Sequence, residues 1–258
     1  MFGPVGIDLY VVHGSHPCAA VERAMQLKGV GYRRVELIPV AHRLVQQLRF
    51  GGATVPALMF ADGTRVLGSR PIMRALEARA PEPRLFPADE AARARVERAE
   101  EWGDEVLQPL ARRIVWASLR RKPEAVMSYT DGARLPVPRP LARLTAPLTA
   151  RAAQYANHAS DGSVRADLIG LERHLERIEG WIADGVLGGA EPNAADLQIG
   201  AGVALLGTFD DLAPQLSGRP AMELARRWFP RYPGHTPAGA LPPAWLQPTR
   251  SGGPAIRT

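Results

Sequence analysis

The sequence holds a single cysteine, Cys18, in 258 residues. One thiol excludes an intrachain disulfide framework and any cysteine-rich zinc site, and no other residue spacing suggests a metal. Lysine is almost as scarce, with only Lys28 and Lys122 among 32 basic residues. Aromatic residues make up 6% of the chain and are not interleaved with the arginines. A nucleic-acid groove built from stacking and charged side chains is therefore not expected. No apolar run approaches the ~18 residues that suggest a membrane span. The first residues show neither a basic n-region nor an apolar h-region, so the expected location is the cytoplasm. No segment joins a basic helical face to an exposed apolar one, which argues against a membrane-surface role.

What is present is a globular composition, 46% apolar and 22% charged. The length suits one large domain or two smaller ones with a substantial core. The net charge of +6 is unevenly spread: residues 1–80 hold ten basic and five acidic residues, and the remaining 22 basic and 21 acidic nearly cancel. A basic excess there suits a small anionic ligand, and equally a well-solvated surface.

The first 80 residues read as strand, helix, strand, helix, hairpin, helix. Ile7 to Val12 has strand composition, with Ile7, Leu9 and Val11 on one face. A helix follows from about Pro17 to Lys28, with proline in the first turn and Gly29 placed to end it. Arg33 to Ile38 reads as a second strand and Ala41 to Leu48 as a short helix. Ala57 to Phe60 and Thr64 to Leu67 flank Asp62-Gly63, a strong hairpin signal. Ser69 can then cap a helix burying Ile72, Met73 and Leu76.

Prolines at 81, 83 and 87 mark a linker over residues 81–89. Residues 90–258 are expected to be helical. A charged, alanine-rich run from Ala88 to about Arg121 should kink or divide at Pro109. The proline-rich stretch 130–148 has little periodicity and predicts a long connection or mobile flap. Arg165 to Ala183 is amphipathic, with Leu168, Leu171, Leu175, Ile178 and Ile182 at steps of three and four. Asn193 to Leu206 is a second apolar helix. From residue 230 the proline- and glycine-rich tail should wrap the surface or fray.

Three short motifs carry the chemistry. Ser15-His16-Pro17-Cys18 opens a helix after a strand, where backbone N–H groups and the helix dipole converge on the first position. Ser15 is there either a plain N-cap or a donor to a bound thiolate. Cys18 reads as a half-buried small hydrophobe or as a lone reactive thiol. His13 and His16 flank the site as proton acceptors near pH 7 or as bystanders. Thr54-Val55-Pro56 precedes a strand, with its proline either cis or at a trans strand edge. Gly68-Ser69-Arg70-Pro71 opens the last helix of the first half.

Together these motifs resemble the glutathione-binding half of the glutathione S-transferases. The resemblance implies an α/β thioredoxin-like N-terminal domain followed by an all-α domain. In that family the proline is cis, and the residue before it, here Val55, presents its backbone to the cysteinyl part of glutathione. It implies Ser15 as activator of the thiol, as in the serine-type transferases, with Val55 and Pro56 at the cysteinyl part. It further implies Ser69 at the γ-glutamyl carboxylate, to which Arg70 could add a contact. Gly68 stands where the family has an acidic residue or glutamine, which leaves open whether the thiol is glutathione or another. Asn193 and Asp196 resemble the family's interior capping box and extend the likeness into the second half. Trp116 and Tyr129 are candidates for the electrophile pocket or for the core. A homodimer is implied by resemblance.

The expected function is conjugation of a small thiol to an apolar electrophile, with glutathione as co-substrate and no metal. A non-catalytic binding or assembly protein on the same fold, and a thiol–disulfide enzyme relying on Cys18, are the alternatives.

Overall fold

The computed structural model describes residues 6–134 and 138–246. Its first half is a four-stranded sheet in the order β2-β1-β3-β4. Strand β1 (Asp8–Val11) pairs in parallel with β2 (Arg33–Glu36) and antiparallel with β3 (Ala57–Met59), which turns back into β4 (Arg65–Leu67). Helices α1 (His16–Leu27), α2 (His42–Phe50) and α3 (Ser69–Arg79) complete it. This is the expected thioredoxin-like order. One detail differs: all of β1 is buried, not only its Leu9 and Val11 face. As a central strand it is covered on both sides, and Tyr10 meets the Phe50 ring edge-on at 5.1 Å.

The connection after α3 is pinned rather than loose. Leu85 and Phe86 are buried in the core. The Lys28 ammonium, itself buried, donates to Glu77, to the Ala80 carbonyl and to the Pro83 carbonyl. One of the two lysines thus ties α1 to the start of the helical half.

That half contains α4 (Glu90–Trp102), α5 (Gln108–Arg121), α6 (Arg139–Ala156), α7 (Asp161–Ala183) and α8 (Ala194–Leu206). The short α9 (Ala213–Leu216), then α10 (Pro220–Trp228) and α11 (Pro243–Leu246), follow. A π-helical turn, Gly103–Leu107, separates α4 from α5 and puts Pro109 in a first turn, where its missing N–H costs nothing. Every residue of α8 is buried, as its all-round apolar sequence requires. The helix starts in a complete capping box: Asn193 accepts from the Asp196 N–H and Asp196 from the Asn193 N–H. It packs on α1, and a single hydrophobic core runs through both halves.

The stretch expected to be a flap is the main correction. From Arg139 onward it is α6, eighteen residues long, with Pro147 inside it. Residues 135–137 of that stretch lie outside the described ones. Proline at 140 is tolerated in the first turn. The interior Pro147 forgoes one backbone bond, yet the helix persists because Ala146, Ala150 and Ala153 are buried on one face. That face is made of small residues, so it left no large-apolar period to read.

The tail also departs from expectation over its described part. Thr236 is buried and bridges to Phe209 in a short strand-like contact. The tail beyond residue 246 lies outside the described residues.

Candidate active site

The first wall of the site is the rim of the sheet. Strand β1 ends in a tight turn in which the Ser15 N–H donates to the Val12 carbonyl at 3.1 Å. Gly14 sits there at φ +75°, and a Cβ would lie 3.1 Å from the Tyr129 carbonyl oxygen, so only glycine fits both demands. Ser15 follows in extended conformation at the N-cap of α1, with Pro17 in the first turn. Its hydroxyl makes no capping bond. The polar group at the positive end of α1 is therefore not used by the helix itself.

Ser15, Pro39, Val40 and Thr54–Val55 border a cavity of about 540 Å³. The Val55–Pro56 peptide is cis. Among the described residues the Val55 N–H has no hydrogen-bond partner. Among the described residues, two non-glycine residues have positive φ, Val40 at 69° and His158 at 53°, and both line this cavity. Backbone held in sparsely populated conformations concentrates at functional sites.

The opposite wall is helical. Pro109, Arg112, Trp116 and Leu119 recur at steps of three and four, so one face of α5 looks into the cavity. Tyr129 lies behind it with its hydroxyl bonded to Thr208 at 2.7 Å and Thr236 at 2.8 Å. Its ring borders the cavity while its polar end anchors the tail. Two ties join this wall to the Ser15 turn. His13 Nε2 donates to the Asp131 carbonyl at 2.9 Å, and the Tyr232 hydroxyl donates to the Gly14 carbonyl at 2.8 Å. A smaller cavity of about 320 Å³ lies on the other side of the turn, lined by Glu22, Arg34 and Tyr232, and shares Ser15.

Of the residues singled out in the sequence, Ser15, Val55, Trp116 and Tyr129 share the larger cavity, as do His13 and His16. Pro56 lies just behind Val55, its carbonyl taken by the Gly68 N–H at 2.9 Å. Ser69 is only 3% exposed and does not line the cavity. It lies against Asp104, whose acidity its hydroxyl helps maintain against burial. Arg70 turns to the carboxylates of α4, 3.3 Å from Glu101 and 3.6 Å from Glu100. Cys18 is 1% exposed rather than half-buried. Burial pushes its thiol up to about 12, only partly offset by Ser15 and the Val12 backbone. Such burial suits the small-hydrophobe reading.

Sequence reasoning passed over Arg112, His42 and His158, all in the cavity wall. Arg112 stands four residues before Trp116, so the helical period that places one on this face places the other as well. His42 opens α2 and had no motif to draw attention to it. Burial, reinforced by the neighbouring Arg43, pushes its imidazole down to about 4. His16 is held well below 6.5, by burial first and by the charge of Arg112 second. Burial likewise lowers His13. All three imidazoles are neutral near pH 7. Among the described residues, no cluster of three metal-ligating side chains occurs, and no helix is long and apolar enough to cross a membrane.

Residues 9–84 match the family profile described as glutathione S-transferase, N-terminal domain. The fold is that of the glutathione S-transferases. A glutathione S-transferase from Sinorhizobium meliloti is 18% identical, with 97% of this chain and 96% of that one covered at a TM-score of 0.56. Glutathione transferase F7 from Populus trichocarpa is 16% identical, covering 87% and 92%, TM-score 0.58. A third, from Methylobacterium radiotolerans in complex with glutathione sulfonate, is 18% identical, covering 87% and 91%, TM-score 0.53. None of the curated proteins matches the chain in sequence. Against the glutathione S-transferase fold, the cavity lies between the family's N-terminal domain and the helical half.

Proposed function

We propose that this chain is a glutathione-transferase-type enzyme, in which Ser15 donates its hydroxyl to the sulfur of a bound thiol. The observation that carries the reading is the Ser15 hydroxyl, which makes no capping bond although it stands at the start of α1 and on the rim of both cavities. A hydroxyl donor and the positive helix end together favour thiolate over thiol. The free Val55 N–H suits the backbone of a cysteinyl residue beside that sulfur. The γ-glutamyl carboxylate is assigned to the N-terminus of α3 at Ser69. Arg70, engaged with Glu100 and Glu101, is not assigned a contact. The thiol proton leaves to solvent, the sulfur attacks an electrophilic carbon, and a C–S bond forms as the leaving group departs. Enclosure of both reactants between sheet rim and α5 supplies proximity. A homodimer is part of this reading through the family likeness alone, and action in the cytoplasm through the sequence expectation alone.

A thiol–disulfide enzyme working through Cys18 finds no support in a buried thiol pushed up to about 12. The test is calorimetric titration of glutathione into wild-type protein and Ser69→Ala, with other small thiols alongside. Saturable binding weakened by the substitution supports the assignment. No binding of any thiol by folded wild-type protein overturns it in favour of a non-catalytic role.

A further inference from the structure

Arg112 and Arg113 are neighbours on α5 with opposite circumstances. Arg113 is held by the Asp167 carboxylate through two bonds of 2.7 Å. Arg112 lines the cavity, and its only side-chain partner among the described residues is the neutral amide oxygen of Gln108. Its burial works against its charge, and the Asp104 carboxylate, which accepts from the Gln108 amide, offsets this only from a distance: among the described residues Arg112 makes no direct ion pair. Among the described residues, no aspartate or glutamate lines the cavity. From α2, across the cavity, Arg43 adds another cation to the lining, and among the described residues its side chain reaches only the Ala156 carbonyl, at 3.4 Å.

A desolvated cation without a carboxylate in direct contact is expensive, and proteins normally pair it. Elsewhere in this chain they do: Arg34, Arg74 and Arg219 each meet a carboxylate. Arg112 is left without such a contact on the wall of the larger of the two cavities. Beside it His16, 3% exposed, keeps Nε2 without any partner, and His42 keeps Nδ1 likewise. Neutral imidazoles can donate to an anion without adding a proton of their own.

The geometry points to an organic-anion subsite centred on Arg112, which holds a carboxylate of the second substrate. The acceptor is then a carboxylate-bearing electrophile, not the purely apolar one expected from the sequence. This rests on the transferase reading for the word acceptor, but not for the subsite. Trp116, one turn along the same face, offers its ring to the body of that molecule. Arg112 stands on the helical wall, whereas Ser15 and Val55 lie on the sheet wall, so the two ligands have separate holders.

The test uses 3,5-dinitrobenzoate, which cannot react, and its uncharged amide, titrated into the full-length protein by calorimetry. Wild-type protein should bind the acid and not the amide. Arg112→Gln should weaken the acid by about 10- to 100-fold, Arg112→Lys by less, and glutathione affinity should stay the same in both. Equal binding of acid and amide, or acid binding undiminished in Arg112→Gln, overturns the subsite. Loss of glutathione affinity together with that of the acid also overturns it, because Arg112 would then serve the thiol. Turnover of 4-chloro-3,5-dinitrobenzoate, in which C–S forms and chloride leaves, is measured in parallel. Absent turnover with Arg112-dependent acid binding removes the transferase reading and leaves the subsite in place.

Discussion

The two walls of the cavity are built on different principles. The sheet wall works mainly through backbone, a helix start and a Val55 N–H with no partner among the described residues, with one side-chain hydroxyl, that of Ser15, on a tight turn. The helical wall works through side chains on one face of α5. Backbone chemistry depends on the fold and survives wide sequence change. Side-chain chemistry can be exchanged without touching the fold. On the proposed function, the sheet wall would set the class of reaction and the helical wall the choice of substrate.

The largest expected effect breaks the sheet wall. Ser15→Ala should lower turnover by about 100-fold or more, as removal of one preorganised donor to developing charge does elsewhere. Because the hydroxyl caps nothing, stability in urea should fall by less than the ~1 kcal/mol of a lost cap. Parallel losses of both would return Ser15 to a structural role. Next comes Arg112→Gln, which should raise KM for a carboxylate acceptor by about 10- to 100-fold while leaving KM for the thiol alone. A matched loss for thiol and acceptor would erase the division between the walls.

Smaller is Tyr129→Phe, which removes the hydroxyl shared by Thr208 and Thr236. Since Thr208 also donates to the Leu205 carbonyl, the expected cost is about 1 kcal/mol, read from the urea midpoint. The smallest effect is a pH dependence. His42 sits at about 4 in the folded chain against 6.5 when free, and His16 is also lowered. Below 6.5 the unfolded chain binds more protons, so stability is full above that pH and falls as pH drops toward 4. His42→Phe should flatten part of that fall in urea titrations between pH 7 and 4.5. An unchanged slope would mean that His42 titrates freely.

The order of strands and helices in the first half was legible because each element carries its own punctuation: Pro17, Gly29, Asp62-Gly63 and Ser69. The interior cap at Asn193 and Asp196 was legible for the same reason. Helix α6 was not, since its buried face is alanine and its prolines read as breakers. In the site, Ser15 and Val55 could be found by motif. Arg112 could not, because an arginine's meaning lies in whether a carboxylate faces it, and Asp167 is 54 positions from Arg113. Pairing across such distances has no local signature. Lys28 taught the same: nothing nearby announced that it would gather groups from Glu77 to Pro83.

The bond from Tyr232 to the Gly14 carbonyl spans 218 positions. It fixes the residue just before Ser15 with a group near the end of the described chain. During synthesis the sheet half emerges first and can fold as a unit, yet its key turn stays unfinished until the tail has left the ribosome. A nascent chain halted before Tyr232 would hold a formed sheet and an untethered Ser15. The turn that carries Ser15 is thus completed by a residue made 218 positions after Gly14.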